Sequence, residues 1–143
     1  MKLEIRLQDQ LKFTKIPPDT VIRKFLEISK EQLTTEVKRE TPVDTGKLRN
    51  SWTPRVSNHR LTLTNSRNYA VFVEKGTGIF GPRGHRIFPK SAKVLHFKAG
   101  GADVFTTNVR GQPARHMAEK GLHNFTYRIP NIFNNAVRQT IAK

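Results

Sequence analysis

At 143 residues the chain suits one domain with a single modest core, and a hydrophobic fraction of 36% argues for a folded protein despite a mean hydropathy of -0.58. With no Cys, disulfides and thiolate metal sites are excluded, and no apolar run approaches the length needed to span a bilayer. The formal charge of +15 favours a polyanionic partner, either nucleic acid or an acidic protein surface; a solvated basic surface without a dedicated ligand is the plainer alternative.

The opening MKLEIRLQDQLKF places Leu3, Ile5 and Leu7 in alternation with polar residues, which predicts a strand before the period is lost. Acids and Gln stand where a signal peptide would need an apolar stretch, so the expectation is a protein made in the cytoplasm and not exported by its own signal. After Pro17-Pro18, Asp19 or Thr20 is expected to cap a helix running to about Glu40. Val21, Ile22, Phe25, Leu26, Leu33 and Val37 recur at helical spacing, with Lys24, Glu27, Lys30, Glu31 and Lys38 outward. Thr41-Pro42 ends it, because a residue before proline is pushed out of helical geometry.

Asp44 reads as a second N-cap, accepting the amides of residues 46 and 47, with Gly46 permitting close approach of another segment. The short helix that follows would turn Leu48 and Trp52 inward. Thr53–Thr64 reads as a hairpin with Asn58-His59 at the turn and Leu61 and Leu63 on one face. Asn65–Glu74 fits either a strand, through Tyr69, Val71 and Val73, or a short helix closed by Gly76.

Gly76–Pro89 holds four Gly and two Pro and is expected to be an extended, mobile loop. Lys93–Lys98 and Asp103–Val109 resemble two strands joined through Gly100-Gly101. Pro113 is expected in the first turn of a helix reaching about Phe125, and Pro130 starts a last helix with Ile132, Phe133, Ala136, Val137 and Ile141 in one stripe. The expected architecture is α+β: one domain, residues 1–143, in which a small antiparallel sheet is packed by a long N-terminal helix and C-terminal helices, with 76–89 as a long Gly/Pro-rich loop.

The search for chemistry returns little. There is no Cys nucleophile, no HExxH and no phosphate-cradling glycine loop between a strand and a helix. His116 and His123 lie seven apart on the expected helix, but a third metal ligand at suitable spacing is missing, so a surface pair is the favoured reading. His85 beside Arg83 and Arg86 suggests a small basic ribonuclease as one alternative, without an evident general base. Capping and salt-bridging account for Asp44 and Glu74. No zinc-finger, RNP-like or helix-turn-helix pattern supports sequence-specific nucleic-acid reading, and Trp52, Tyr69 and Tyr127 read as core or interface anchors.

The charge is unevenly placed. Residues 1–74 hold 14 basic and 9 acidic side chains, a net of +5, whereas residues 75–143 hold 12 basic against Asp103 and Glu119, a net of +10. No acid stands between Lys75 and Asp103, which singles out Arg83, Arg86, Lys90 and Lys93 as the patch for contact with DNA phosphates or an acidic partner.

Four segments in order resemble a known family. TPVDTGKLRNSW (41–52) is similar to the proline, Asp-Thr-Gly, Leu and Ser signature of phage neck or tail-completion proteins, the gene-product-ten-like, head–tail joining family of long-tailed phages. YAVFVEKGTGIFGP (69–82) resembles that family's Tyr-Ala, Val-Glu, Gly-Thr segment. IFPKSAKVLHFKAGGADVF (87–105) resembles its Ile-Pro-Lys segment and the hairpin after it, and VRGQPARHMAEKGL (109–122) its Gly-Gln-Pro-Ala lead into the C-terminal helix. Residues 1–36 match no motif.

The resemblance implies a non-enzymatic structural protein of the virion without a cofactor. It implies a ring, with six subunits favoured and twelve possible, around the channel through which DNA leaves. Neighbours would be a head-side connector or stopper protein and a tail terminator or tail tube protein. Genomic DNA would be met only through nonspecific phosphate contact, and no membrane is involved. Within the landmarks, Pro42, Asp44, Gly46, Leu48, Glu74 and Gly76 are expected to be structural. The alternative is a free basic nucleic-acid-binding protein or a small basic ribonuclease.

Overall fold

The computed structural model describes residues 1–6 and 17–142, with no side-chain description for Ile5 and Arg6; Leu7, the last member of the expected opening alternation, lies outside the described residues. The architecture is α+β, and the chain divides into two compact units: Met1–Ala70 with Met117–Lys143, and Val71–His116.

The first unit is built on an antiparallel sheet in the order β1 (Lys2–Arg6), β3 (Arg60–Asn65), β2 (Trp52–Ser57). The β2–β3 hairpin turns at Asn58 and His59, with φ of 45° and 59°. Two successive left-handed residues match the twist of the flanking strands, which is why a short polar pair suffices there. Period-two alternation puts Leu61, Leu63 and Asn65 on the buried face of β3. Buried Asn65 is satisfied: its Nδ2 donates to the Leu48 carbonyl at 3.0 Å, and its Oδ1 accepts from the Arg67 amide at 2.9 Å.

Helix α1 (Pro18–Glu40) packs on β2 and β3 and is covered by α4 (Met117–Thr126) and α5 (Ile129–Ile141). Its six expected apolar residues are all buried, each removal from water worth about 1.5–3 kcal/mol. The N-terminus differs from expectation. Pro17 is the N-cap and Pro18 the first helical residue, with no side-chain cap from Asp19 or Thr20. A proline at N1 has no amide to satisfy, so a side-chain cap is less needed. The C-terminus behaves as expected, Thr41 leaving the helix at φ −74°, ψ 123° ahead of Pro42.

The α1/α4 crossing depends on Gly121, where a Cβ would lie 2.6 Å from Val37 Cα. Phe25 meets Phe133 edge-on at 6.3 Å and registers α5 against α1. In α5, Pro130 does sit at the first turn, while Ile132 and Ala136 are buried and Ile141 remains exposed at the end of the stripe.

At the corner after α1, the short helix α2 (Lys47–Asn50) is capped by Gly46, not by Asp44. Gly46 has φ 77°, a conformation that costs glycine nothing, and a Cβ there would meet only Asn50 Nδ2 at 3.6 Å. The glycine is therefore explained by its backbone angle and not by a close neighbour, and Asp44 stays exposed two residues upstream. Leu48 and Trp52 point inward as expected.

The second unit opens with α3 (Ala70–Lys75), so the helical alternative holds for that ambiguous segment, and Gly76 at φ 77° closes it. A 3-10 turn follows at Gly78–Phe80. The return segment 109–116 is non-helical and pairs with what precedes it. Thr77 N donates to Gln112 O at 2.9 Å, Ile79 N to Arg110 O at 2.8 Å, and Ile87 and Val109 exchange both backbone bonds. Gly111 (φ 91°) crosses Thr77 so closely that a Cβ would collide with the Thr77 carbonyl oxygen. The excursion from Gly76 to Ile87 is thus tied at three points.

The expected pair of strands is present as β4 (Leu95–Ala99) and β5 (Ala102–Thr106), turning at Gly100-Gly101. The helix expected from Pro113 starts only at Met117. Arg115 N and His116 N donate to the Val73 and Glu74 carbonyls, which keeps this stretch out of the helix, and His116, at φ 52°, redirects the chain. His116 therefore precedes α4, and it does not share a helical face with His123.

Candidate functional site

The second unit is unusual in what it leaves outside. Within Val71–His116, all of it described, Glu74 and Gly76 are the residues classed as buried, and no large apolar side chain is among them. Phe72 and Phe88 are each 59% exposed and Phe105 65%, with Val71, Phe80, Ile87, Val94 and Phe97 also at the surface. Of these, Val71, Phe72, Ile87 and Phe88 share one groove, and exposed apolar surface gathered in this way marks an interaction face.

A groove of about 660 Å³ runs through this unit. Phe72 and Val71 of α3 contribute apolar wall, and Ile87, Phe88, Pro82 and Pro89 contribute the rest. The cationic residues are Lys75, Arg83, Arg86 and Lys90, with His85 beside them, and no carboxylate lines it. Glycines 76, 78 and 81 let the backbone fold tightly enough to form the wall without side chains in the way.

Of the patch expected from charge, Arg83, Arg86 and Lys90 come together around this groove, all exposed. Lys93 is exposed too but is not part of its wall. Arg86 is held in place: its Nη1 donates to Asn108 Oδ1 at 2.8 Å. His85 Nδ1 donates to the Arg86 carbonyl at 2.9 Å, so that nitrogen carries its proton in this arrangement and the ring is committed to the loop backbone.

Pro42, Asp44, Gly46 and Leu48 form the corner of the first unit, and Gly76 contributes both the end of α3 and part of the groove wall. Glu74 is 8% exposed, on α3. His123 lies in α4, 3.2 Å from the Tyr127 hydroxyl with the rings edge-on at 5.1 Å.

Sequence reasoning passed over two polar clusters. Glu36 is 1% exposed; its Oε2 accepts from Arg39 Nη1 at 3.0 Å, and Arg128 Nη2 lies 2.8 Å from Oε1. The Arg128 contact is an ion pair without the alignment of a hydrogen bond. The signal was available, since Glu36 sits in the buried stripe between Leu33 and Val37. The second cluster is the corner itself, where Trp52 Nε1 donates to Thr41 Oγ1 at 3.0 Å and Thr41 donates on to the Val37 carbonyl at 2.7 Å. The apolar half of the groove was also missed, because Phe72 and Phe88 stand sixteen residues apart and no period links them.

A second cleft, between α1 and the β2–β3 turn, mixes Asp19 and Glu27 with Arg23 and Lys30, and Asp19 already pairs with His59 at 3.3 Å. With its charges offset internally, it exerts no comparable pull on a charged partner. No helix among the described residues is long and apolar enough to cross a membrane.

Comparison with known sequences supplies the remaining constraint. Residues 10–76 match the family model HK97-gp10-like, described as "Bacteriophage HK97-gp10, putative tail-component". No curated protein and no solved structure matches the chain. The matched stretch runs through α1, the Thr41–Trp52 corner and the β2–β3 hairpin to Gly76, and ends where most of the groove begins. Over residues 10–76, just under half of its length, the chain is similar to the HK97-gp10-like family of bacteriophage tail components, a match consistent with a phage neck and tail-completion family.

Proposed function

We propose that the protein is a non-catalytic structural subunit of the phage head–tail connector, forming a closed ring that completes the tail or joins it to the head around the DNA channel. The observation that carries this reading is the second unit, which buries no large apolar side chain of its own and leaves Phe72, Phe88 and Phe105 more than half exposed. Such a unit gains apolar burial only from neighbours. The match to a tail-component family model supports a virion location; assembly in the host cytoplasm belongs to the same proposal.

In this reading the neighbours are further copies of the chain, six in a ring or twelve, with a head-side connector or stopper protein on one side and a tail terminator or tail tube protein on the other. The cations Arg83, Arg86, Lys90 and Lys93 make sequence-independent contacts, to phosphates of the genomic DNA or to acidic faces of those proteins. No cofactor takes part. Light scattering of the purified full-length chain, alone and with tail tubes, tests the reading. A discrete multiple of the subunit mass, or co-migration with the tubes, is expected. A monomer under both conditions removes the ring and favours the free nucleic-acid-binding protein that the charge of +15 also suits.

A further inference from the structure

The groove of the second unit combines two features that a single kind of partner uses together. Its cations, Lys75, Arg83, Arg86 and Lys90, have no carboxylate among them, and its apolar wall exposes Phe72 and Phe88 by 59% each. Duplex DNA would engage the cations through phosphates and leave the phenylalanines in water. A second copy of this chain, itself at +15, is a poor electrostatic match for the cations. An acidic peptide segment with an aromatic or aliphatic anchor satisfies both, its carboxylates facing the rim and its anchor covering the rings.

We propose that the groove is the docking site for such an acidic, apolar-anchored segment of a neighbouring protein in the assembly. The proposal rests on the reading of the chain as an assembly subunit, and it names the chemistry of a heterologous partner. The guanidinium of Arg86, pre-positioned by Asn108, gives the rim one cation already fixed in orientation, which lowers the entropy lost on binding a carboxylate. The volume of about 660 Å³ accommodates a few side chains and not a folded domain, so the ligand is a segment.

Fluorescence anisotropy of the full-length chain tests this with three labelled probes: a short peptide alternating glutamate with phenylalanine and leucine, polyglutamate of equal length, and a short DNA duplex. The anchored peptide is expected to bind about tenfold more tightly than polyglutamate. Phe72→Ser with Phe88→Ser should erase that margin while leaving polyglutamate binding and the melting temperature unchanged. Arg83→Ser with Lys90→Ser should weaken both peptides.

Equal binding of the two peptides, or binding of the duplex alone, overturns the proposal. Sizing the same samples separates the two readings. Assembly without a preference for the anchored peptide sinks the groove's occupant and leaves the subunit role standing. A preference in a chain that never assembles keeps the groove and removes the ring.

Discussion

Glu36 places its carboxylate in the core of the first unit, and both arginines that reach it are about half exposed. Arg39, one turn along α1, is 58% exposed by its side chain, and Arg128, ahead of α5, is 45% exposed. Each cation therefore keeps water while the carboxylate has none, which makes the anion the vulnerable partner. Arg128→Ala, leaving Glu36 with Arg39 alone, is expected to cost about 1–3 kcal/mol in urea unfolding. A loss of only a few tenths would mean that the pair is structurally idle. Trp52→Phe removes one donor from the Thr41 hydroxyl yet retains most of the ring, so the expected cost is about 1 kcal/mol beyond the packing change. Sequence placed Trp52 inward correctly, and the identity of its hydrogen-bond partner eleven residues upstream was not readable because it depends on how α1 meets β2.

At the scale of elements, local chemistry was legible wherever one residue's own backbone preference decides the outcome. Pro42 stopped α1, Asn58-His59 turned the hairpin, Pro130 opened α5, and Gly100-Gly101 joined β4 to β5. It failed where a partner distant in sequence decides. Pro113 was expected to begin a helix, but residues 115 and 116 donate to the carbonyls of Val73 and Glu74 and so stay out of it. Asp44 looked like a cap, and the left-handed angle at Gly46 supplies the turn without it. Two glycines test the account at this scale. Gly121→Val would force α4 from α1 at Val37 and is expected to cost at least about 1–3 kcal/mol, measured by thermal or urea denaturation. Gly111→Ala faces both a φ of 91° and the Thr77 carbonyl. Hydrogen exchange at the Thr77 and Ile79 amides should accelerate in that variant while α1 amides stay protected; uniform acceleration would show that the second unit does not open separately.

For the whole molecule, the division of labour follows the division of charge and core. The first unit holds the large buried apolar residues and most of the stretch matching phage tail components, whereas the second carries the groove's unopposed cations and its exposed phenylalanines. Composition foretold the basic half, and no period or spacing announced that the phenylalanines of the second unit would remain at the surface. Electrostatic and apolar contributions separate by salt, since screening shortens from about 10 Å at 0.1 M to about 3 Å at 1 M. Polyglutamate binding should therefore vanish at high salt, and the anchored peptide should retain part of its affinity. Replacing Arg83, Arg86 and Lys90 together with Ser is expected to leave rings assembled while weakening acidic contacts; loss of the rings would place these cations in the subunit interface instead. The most direct test of the central claim is electron microscopy of the purified chain, alone and mixed with tail tubes. Closed rings, free or seated on the ends of the tubes, are the predicted result. Dispersed single subunits that decorate no particle end would contradict it.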